Sequence, residues 1–203
     1  MTSLFYLTTT NSDLSGPGPG DWKKALSTTL PSSTTLGATV GAGATEVDYG
    51  FTPSGEPVPT GNGDYNNTVQ IAAGNANLRL AIQLHRVNSA GVIQTSSSIS
   101  AEQVMSAGTK TFNFASLNLG TWVSTNRLRV DYRVRSTAAM GNNTATFQIG
   151  SASPTRIDTP FGKIVVITGG TSFPGQGNAE DIKFTPSVST PGADDSMMFA
   201  TNE

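Results

Sequence analysis

Few side chains in this sequence are suited to acid–base chemistry, and the sequence contains a single histidine, His85. The pattern around His85 predicts a strand with this residue on its polar face. Serine and aspartate are plentiful, so a Ser-His-Asp set is formally possible, but the G-x-S-x-G motif that presents a nucleophilic serine is absent. We therefore expect His85 to be a solvent-exposed sheet residue without a catalytic role.

Carboxylates come close together at two places. Glu46 and Asp48 alternate along one predicted strand, so they share a face, as in some calcium sites and glycosidase pairs. Asp64, Asn66 and Asn67 fall in a predicted loop whose oxygen atoms could bind calcium. Solvated polar side chains explain both patterns more simply, so we expect no metal ion and no other cofactor.

Several further classes of site are excluded by the sequence. Residues 169–177, GGTSFPGQG, have the glycine spacing of a phosphate loop, but Gln176 stands where the essential lysine belongs. The absence of cysteine excludes disulfides, thiolate metal sites and thiol catalysis. A formal net charge of -2 gives no bulk attraction to nucleic acid or to an anionic membrane. No secretion signal or membrane-spanning stretch is expected either.

Arginine is concentrated in residues 126–136, NRLRVDYRVRS, which form the clearest predicted strand. Apolar side chains at 128, 130, 132 and 134 alternate with charged ones at Arg127, Arg129, Asp131, Arg133 and Arg135. Strict alternation predicts one buried face and one solvent-exposed face, and the arginine row would extend ~30 Å at ~3.3 Å per residue. This row is either a docking surface for an acidic partner or a solvated face whose charge prevents edge pairing.

The remaining elements predict an all-β fold. Residues 77–87, NLRLAIQLHRV, alternate in the same way, and shorter strands are predicted at 3–9, 45–51, 67–73, 92–100, 109–114 and 144–149. A short helix is predicted at 21–30, with Asp21 as its N-cap. About eight strands separated by turns are typical of an antiparallel two-sheet sandwich, most simply a jelly roll, with an immunoglobulin-like sandwich as the alternative.

The composition changes after Gly150. Residues 151–203 contain five prolines and six glycines, and only residues 163–167, KIVVI, are strand-like. We expect a sandwich domain at 1–150 and an extended arm at 151–203 that lies on a partner. The residues predicted to bind that partner are Arg127, Arg129, Arg133, Arg135, Phe161, Phe173, Phe184 and Phe199.

This build, a cysteine-free and Ser/Thr/Gly-rich β-domain with a Pro/Gly-rich arm, resembles the decoration (cement) proteins of tailed bacteriophage capsids. Residues 77–100, residues 126–136 and the chain from Ser151 carry the likeness. The resemblance implies a non-enzymatic structural protein on the capsid surface of the virion, made in the host cytoplasm, that bridges neighbouring major capsid protein subunits. We also expect a homo-oligomer, a dimer or trimer, without nucleic-acid or membrane binding.

Two alternatives stay open. A glycan-binding module of a phage tail fibre or surface appendage would use the loop aromatics Trp22, Tyr65 and Trp122, although both tryptophans also suit positions over the core. An enzyme on the same fold, such as a glycosidase or lyase, would use Asp131 or the carboxylates of residues 46 and 48. It would need a carboxylate pair about 5–9 Å apart across a cleft.

Overall fold

A computed structural model of the chain describes residues 3–14, 22–54 and 62–160. The chain divides into two units, Met1–Ile164 and Val165–Glu203, and the second lies outside the described residues. Every regular element in the described ranges is a β-strand, which confirms the all-β prediction. Within those ranges there is no helix of the length and apolar character needed to cross a membrane.

Twelve strands form the described part of the domain. In chain order they are β1 (Ser3–Asn11), β2 (Lys23–Ser27), β3 (Thr34–Gly41), β4 (Thr45–Phe51), β5 (Gly63–Ala73), β6 (Asn75–Val87), β7 (Ile93–Ser96), β8 (Gln103–Met105), β9 (Gly108–Leu117), β10 (Arg127–Ser136), β11 (Asn142–Ile149) and β12 (Arg156–Thr159).

All twelve strands belong to one hydrogen-bonded sheet, with the order β3-β11-β5-β12-β1-β2-β4-β10-β6-β7. β8 also pairs with β6, and β9 pairs with β5. The pairing is antiparallel except between β2 and β4, which are parallel. β10 forms the longest ladder with β6 on one side and also pairs with β4 on the other side.

The sheet encloses a common core, because side chains from strands distant in the strand order pack together. The ring centroids of Tyr132 in β10 and Phe147 in β11 are 5.7 Å apart. Trp22 lies 5.4 Å from Tyr132 and 5.7 Å from Phe147. The predicted apolar faces of β6, β10 and β11 all belong to this core, which makes the arrangement sandwich-like.

The predicted helix at 21–30 is wrong. Lys23–Ser27 is strand β2, which pairs with both β1 and β4. The Thr8 hydroxyl donates to the Ala25 carbonyl, and Leu26 is buried in the core. These tertiary contacts outweigh the weak local preference of the segment for a helix. Strand β3 was not predicted, although Leu36, Ala38 and Val40 alternate along it, because these few apolar residues lie among threonines and glycines.

Strand β12 lies within the range that the composition assigns to the arm. It pairs with β1 and with β5, and Ile157 is fully buried. Residues 156–159 are therefore part of the sheet, and the division at Ile164 follows this strand.

Two truncations test the contribution of β12. Residues 1–164 should unfold cooperatively in urea, whereas residues 1–150 should be less stable by at least about 3 kcal/mol, because the buried Ile157 side chain and two strand ladders are lost. The free energies of unfolding would be compared by circular dichroism. Equal stability of the two chains would contradict a structural role for β12.

Candidate functional site

The charged side of β10 is not a continuous exposed row. Arg127 and Arg129 are 3% and 4% exposed, and Asp131 is 2% exposed. Arg133 and Arg135 are half-buried. The prediction of a solvent-exposed face is therefore wrong for Arg127 and Arg129, which are enclosed within the domain.

A second apolar cluster covers these charges. Tyr49 stands opposite Asp131 and Phe51 stands opposite Arg129 in the β4–β10 ladder. Side chains directly opposite one another on neighbouring strands lie on the same face of a sheet. The cluster consists of Leu14, Tyr49, Phe51 and Val87, with Val47 packed against it. Apolar side chains of β4 therefore flank the charged side chains of β10 and exclude water from them.

Arg129 and Asp131 form the centre of a buried charge cluster. Arg129 Nε lies 2.5 Å from Asp131 Oδ1 and Nη2 lies 2.9 Å from Oδ2, so the pair is bidentate. Arg129 Cζ also lies 4.1 Å from the ring centroid of Tyr49, within cation–π distance. Burial raises the pKa of the Tyr49 hydroxyl.

His85 connects the cluster to the neighbouring strand β7. Its Nε2 lies 3.1 Å from Asp131 Oδ2, and its Nδ1 lies 2.7 Å from the Ser96 hydroxyl. The Asp131 carboxylate accepts hydrogen bonds from Arg129, so we assign the His85 proton to Nε2 and the hydrogen bond at Nδ1 to donation by Ser96. His85 is 4% exposed, so the prediction that it lies in solvent is wrong.

The line Ser96–His85–Asp131 has the residue types of a serine hydrolase triad. Arg129, however, binds both carboxylate oxygens of Asp131, so this carboxylate is already paired with a buried cation. The contacts instead join three strands, because the serine lies on β7, the histidine on β6 and the aspartate on β10. The hydrogen bonds of the cluster thus attach β7 to the central strands β6 and β10.

The arginines at the two ends of the row, Arg127 and Arg135, have carboxylate partners within the domain. Arg127 Nη2 lies 2.8 Å from Asp13 Oδ1, and its hydrogen bond to Asp13 holds the pKa of that carboxyl below its ordinary value. Arg135 Nε lies 2.7 Å from Glu102 Oε1, and this hydrogen bond likewise lowers the pKa of Glu102. These contacts reduce the charge that the arginine row presents to a partner.

The other candidate carboxylates and amides differ in their burial and in their hydrogen-bond partners. Asp48 is fully buried, and its Oδ1 accepts a hydrogen bond from the Trp22 backbone at 3.0 Å, so it is not a solvated partner of Glu46. Asp64 Oδ1 accepts one from the Ser116 backbone, and Asn67 is fully buried in β5. Within the described ranges, no three histidine or acidic residues are grouped so that they could hold a metal ion.

The predicted aromatic platform is not on the surface. Trp22, Tyr65 and Trp122 are 6%, 1% and 8% exposed, and all three belong to the core. Burial raises the pKa of Tyr65 as well. These side chains therefore do not form the exposed platform that the glycan-binding alternative would use, and the assignment of both tryptophans to positions in the core is confirmed. Four predicted partner contacts, Phe161, Phe173, Phe184 and Phe199, lie outside the described residues, as does the glycine-rich stretch 169–177.

Residues 92–105, here called the edge segment, form the outermost chain beside β6. Ile93 stands opposite Val87 at one end, and Gln103 stands opposite Leu80 towards the other. Between β7 and β8 the segment is irregular, and its serine side chains accept hydrogen bonds from the β6 backbone. The hydroxyls of Ser97 and Ser100 accept hydrogen bonds from the backbone amides of Leu84 and Ile82, respectively.

The outer side of the edge segment is open. Within the described part of the chain, no strand pairs with the outer edge of β7 or β8. Four apolar side chains of the segment are between 41% and 55% exposed: Val92, Ile93, Ile99 and Val104. Sequence alternation did not reveal this surface, because serines dominate residues 92–105 and conceal the sparse apolar positions.

Comparisons with known proteins identify the fold only. No protein-family model matches the sequence, and no curated protein matches it. A CocE/NonD family hydrolase from Staphylococcus aureus aligns over 80% of this chain, with a TM-score of 0.50 and 9% sequence identity. The chain spans 36% of the length of that hydrolase. A structure of infectious bursal disease virus, Gx strain, aligns over 71% of this chain and 39% of its own, with a TM-score of 0.32 and 8% identity.

Replacing Asp131 by Asn tests the buried charge cluster. The substitution leaves the Arg129 guanidinium buried without its carboxylate, so the free energy of unfolding should fall by about 3–5 kcal/mol. The matched control is Glu102→Gln, which breaks the surface pair with Arg135 and should have a much smaller effect. Urea unfolding measures both variants. Similar losses in the two variants would contradict the central role assigned to the Arg129–Asp131 pair.

Proposed function

We propose that this protein is a non-enzymatic structural protein that decorates the capsid of a tailed bacteriophage and bridges neighbouring major capsid protein subunits. The observation that carries the proposal is the open edge segment with its exposed apolar side chains. The location would be the capsid surface of the virion, after synthesis in the host cytoplasm. The finer fold proposed with this function is a two-sheet jelly roll.

The edge segment has the properties of a protein-binding surface. An open strand edge offers backbone donors and acceptors to an extended segment of another protein, and apolar side chains beside it add buried area. Val92 and Ile93, 55% and 41% exposed, lie at one end of the segment, and Val104 lies near the other. The hydrogen bond between Ser96 and His85 holds the edge in place before a partner binds. The occupant we propose is an extended segment of the major capsid protein that lies along strand β7, Ile93–Ser96.

The arm that follows the described domain would supply a second contact. Beyond the edge segment, the proposed partner-binding residues are the phenylalanines of the arm and the half-buried Arg133 and Arg135. Two linked contacts on neighbouring subunits strengthen binding through their high effective concentration. A dimer or trimer of the chain would add to this effect.

The charge cluster supports a non-enzymatic function. Both oxygens of Asp131 accept hydrogen bonds from Arg129, so the carboxylate that His85 contacts is already paired with a buried guanidinium. Asp48 is buried away from solvent, so it is not available to form a glycosidase pair with another carboxylate. The ionisable groups of this face stabilise the domain instead.

Substitutions on the edge test capsid binding. Ile93→Lys should weaken binding to purified phage capsids that lack the protein at least about tenfold, because an ammonium group would be buried unpaired in the apolar contact. The matched control is Met140→Lys, since Met140 is 86% exposed and lies in the connection between β10 and β11, outside the edge segment. Cosedimentation with capsids gives the dissociation constants. Absence of binding by the unaltered protein, or unchanged binding of Ile93→Lys, would refute the proposal.

A fluorophosphonate probe tests the absence of hydrolase chemistry. Ser96 should stay unmodified, because the Arg129–Asp131 pair prevents full activation of His85. Intact-mass spectrometry detects any phosphonyl adduct. An adduct on Ser96 that disappears in both Ser96→Ala and His85→Ala would identify a working nucleophile and overturn the non-enzymatic proposal.

A further inference from the structure

A groove of about 290 Å³ lies between the edge segment and β9. One wall consists of residues 98–101 and Gln103, and the other consists of residues 111–114. β9 pairs with β5 along one edge, and within the described part of the chain its other edge has no strand beside it. The groove therefore lies where two open edges of the sheet approach each other.

The polar side chains that line the groove are all uncharged. They are the hydroxyls of Ser98, Ser100 and Thr111 and the amides of Gln103 and Asn113. Two charged residues flank the lining residues in the sequence. Glu102 is bound by Arg135 through two hydrogen bonds, of 2.7 and 2.5 Å, and Lys110 Nζ donates to the Ser106 hydroxyl at 2.9 Å. The side chains that line the groove itself are uncharged.

The groove combines free hydrogen-bonding groups with an apolar surface. Asn113 and Ser98 are exposed, and within the described part of the chain no protein group binds the amide of Asn113 or the hydroxyl of Ser98. Ile99 is 49% exposed, and the ring of Phe114 is half-buried against the core. Because Phe114 follows Asn113 directly in β9, its ring lies on the core side of the strand, and Ile99 is the apolar side chain exposed in the groove. Amides and hydroxyls beside an exposed apolar side chain match the alternating hydroxyl and C–H surfaces of a sugar.

The walls of the groove are held by contacts that do not depend on a ligand. Gln103 Nε2 donates to the Thr111 carbonyl at 2.8 Å and so joins the two walls. Ser100 is fixed to β6 by accepting from the Ile82 amide. The bridge from Gln103 also occupies an outward carbonyl of β9, which an added peptide strand would need. The site is therefore preformed and better suited to a small ligand than to a strand.

We propose that this groove binds a short neutral saccharide. Its volume is at the lower end of the range for small-molecule sites, which suits a short oligosaccharide. The side chains that would hydrogen-bond the sugar hydroxyls are Asn113, Ser98 and Gln103, and the exposed Ile99 would contact the C–H face of one ring. The site is distinct from the buried aromatics Trp22, Tyr65 and Trp122, and it does not depend on capsid binding.

Saturation-transfer NMR with maltotriose, cellotriose and chitotriose tests the proposal on the full chain. At least one of these neutral trisaccharides should receive saturation from the protein. Asn113→Ala should weaken that binding about tenfold, since a hydrogen bond to an amide is lost. The matched control is Asn142→Ala, an exposed asparagine on β11 outside the groove, which should bind as the unaltered protein does.

Three results would overturn the proposal. They are no saturation transfer to any of the trisaccharides at millimolar concentration, undiminished binding by Asn113→Ala, and tighter binding of the anionic sialyllactose than of every neutral sugar. Gln103→Ala gives a second measurement, because it removes the bridge to Thr111 and should also weaken binding. Asn113 is exposed, so circular dichroism should show that Asn113→Ala is folded, and this variant decides the outcome if Gln103→Ala does not fold.

Discussion

The buried ion pair between Arg129 and Asp131 is the interaction on which the packing of the charged face of β10 depends. Removing a guanidinium and a carboxylate from water costs several kcal/mol for each ion, and only close, well-oriented contacts offset that cost. Here the offset comes from two short hydrogen bonds, the ring of Tyr49 and the imidazole of His85. Because these charges are compensated, apolar side chains can cover the charged face of β10.

That cover makes β10 a central strand buried on both sides. Its apolar face packs in the main core, and its charged face packs under the smaller cluster around Tyr49 and Phe51. The same network reaches the surface through His85 and Ser96, so the outermost strand is bonded to the most buried one. Ser97 and Ser100 extend this attachment along β6 by replacing backbone acceptors. The edge segment can thus be open to a partner and still be firmly held.

Charged and uncharged polar side chains are therefore separated in this molecule. Its ionisable side chains stabilise the interior of the sheet, while uncharged amides, hydroxyls and apolar groups line the open edge and the groove beside it. The similarity to part of a much longer hydrolase concerns the fold alone. A fold can carry many functions, so the function has to be inferred from these surfaces.

The sequence by itself determined the strands whose side chains alternate most clearly. Strand β4 has the predicted bounds, and β6 and β10 differ from the prediction by one or two residues at their ends, with Leu80 and Val130 in the core as expected. Alternation shows which residues share a face, but not what covers that face, so it does not predict the burial of Arg129.

The burial of Arg129 and the formation of the charge cluster were decided only by the tertiary structure. The register of β6, β10 and β7 brings His85 to Asp131, 46 residues away, and to Ser96, 11 residues away. Pairing between strands depends on the whole sheet, whereas a sequence pattern reports only its own segment. For the same reason the weak patterns of β2 and β3 did not predict strands that their neighbours in the sheet stabilise.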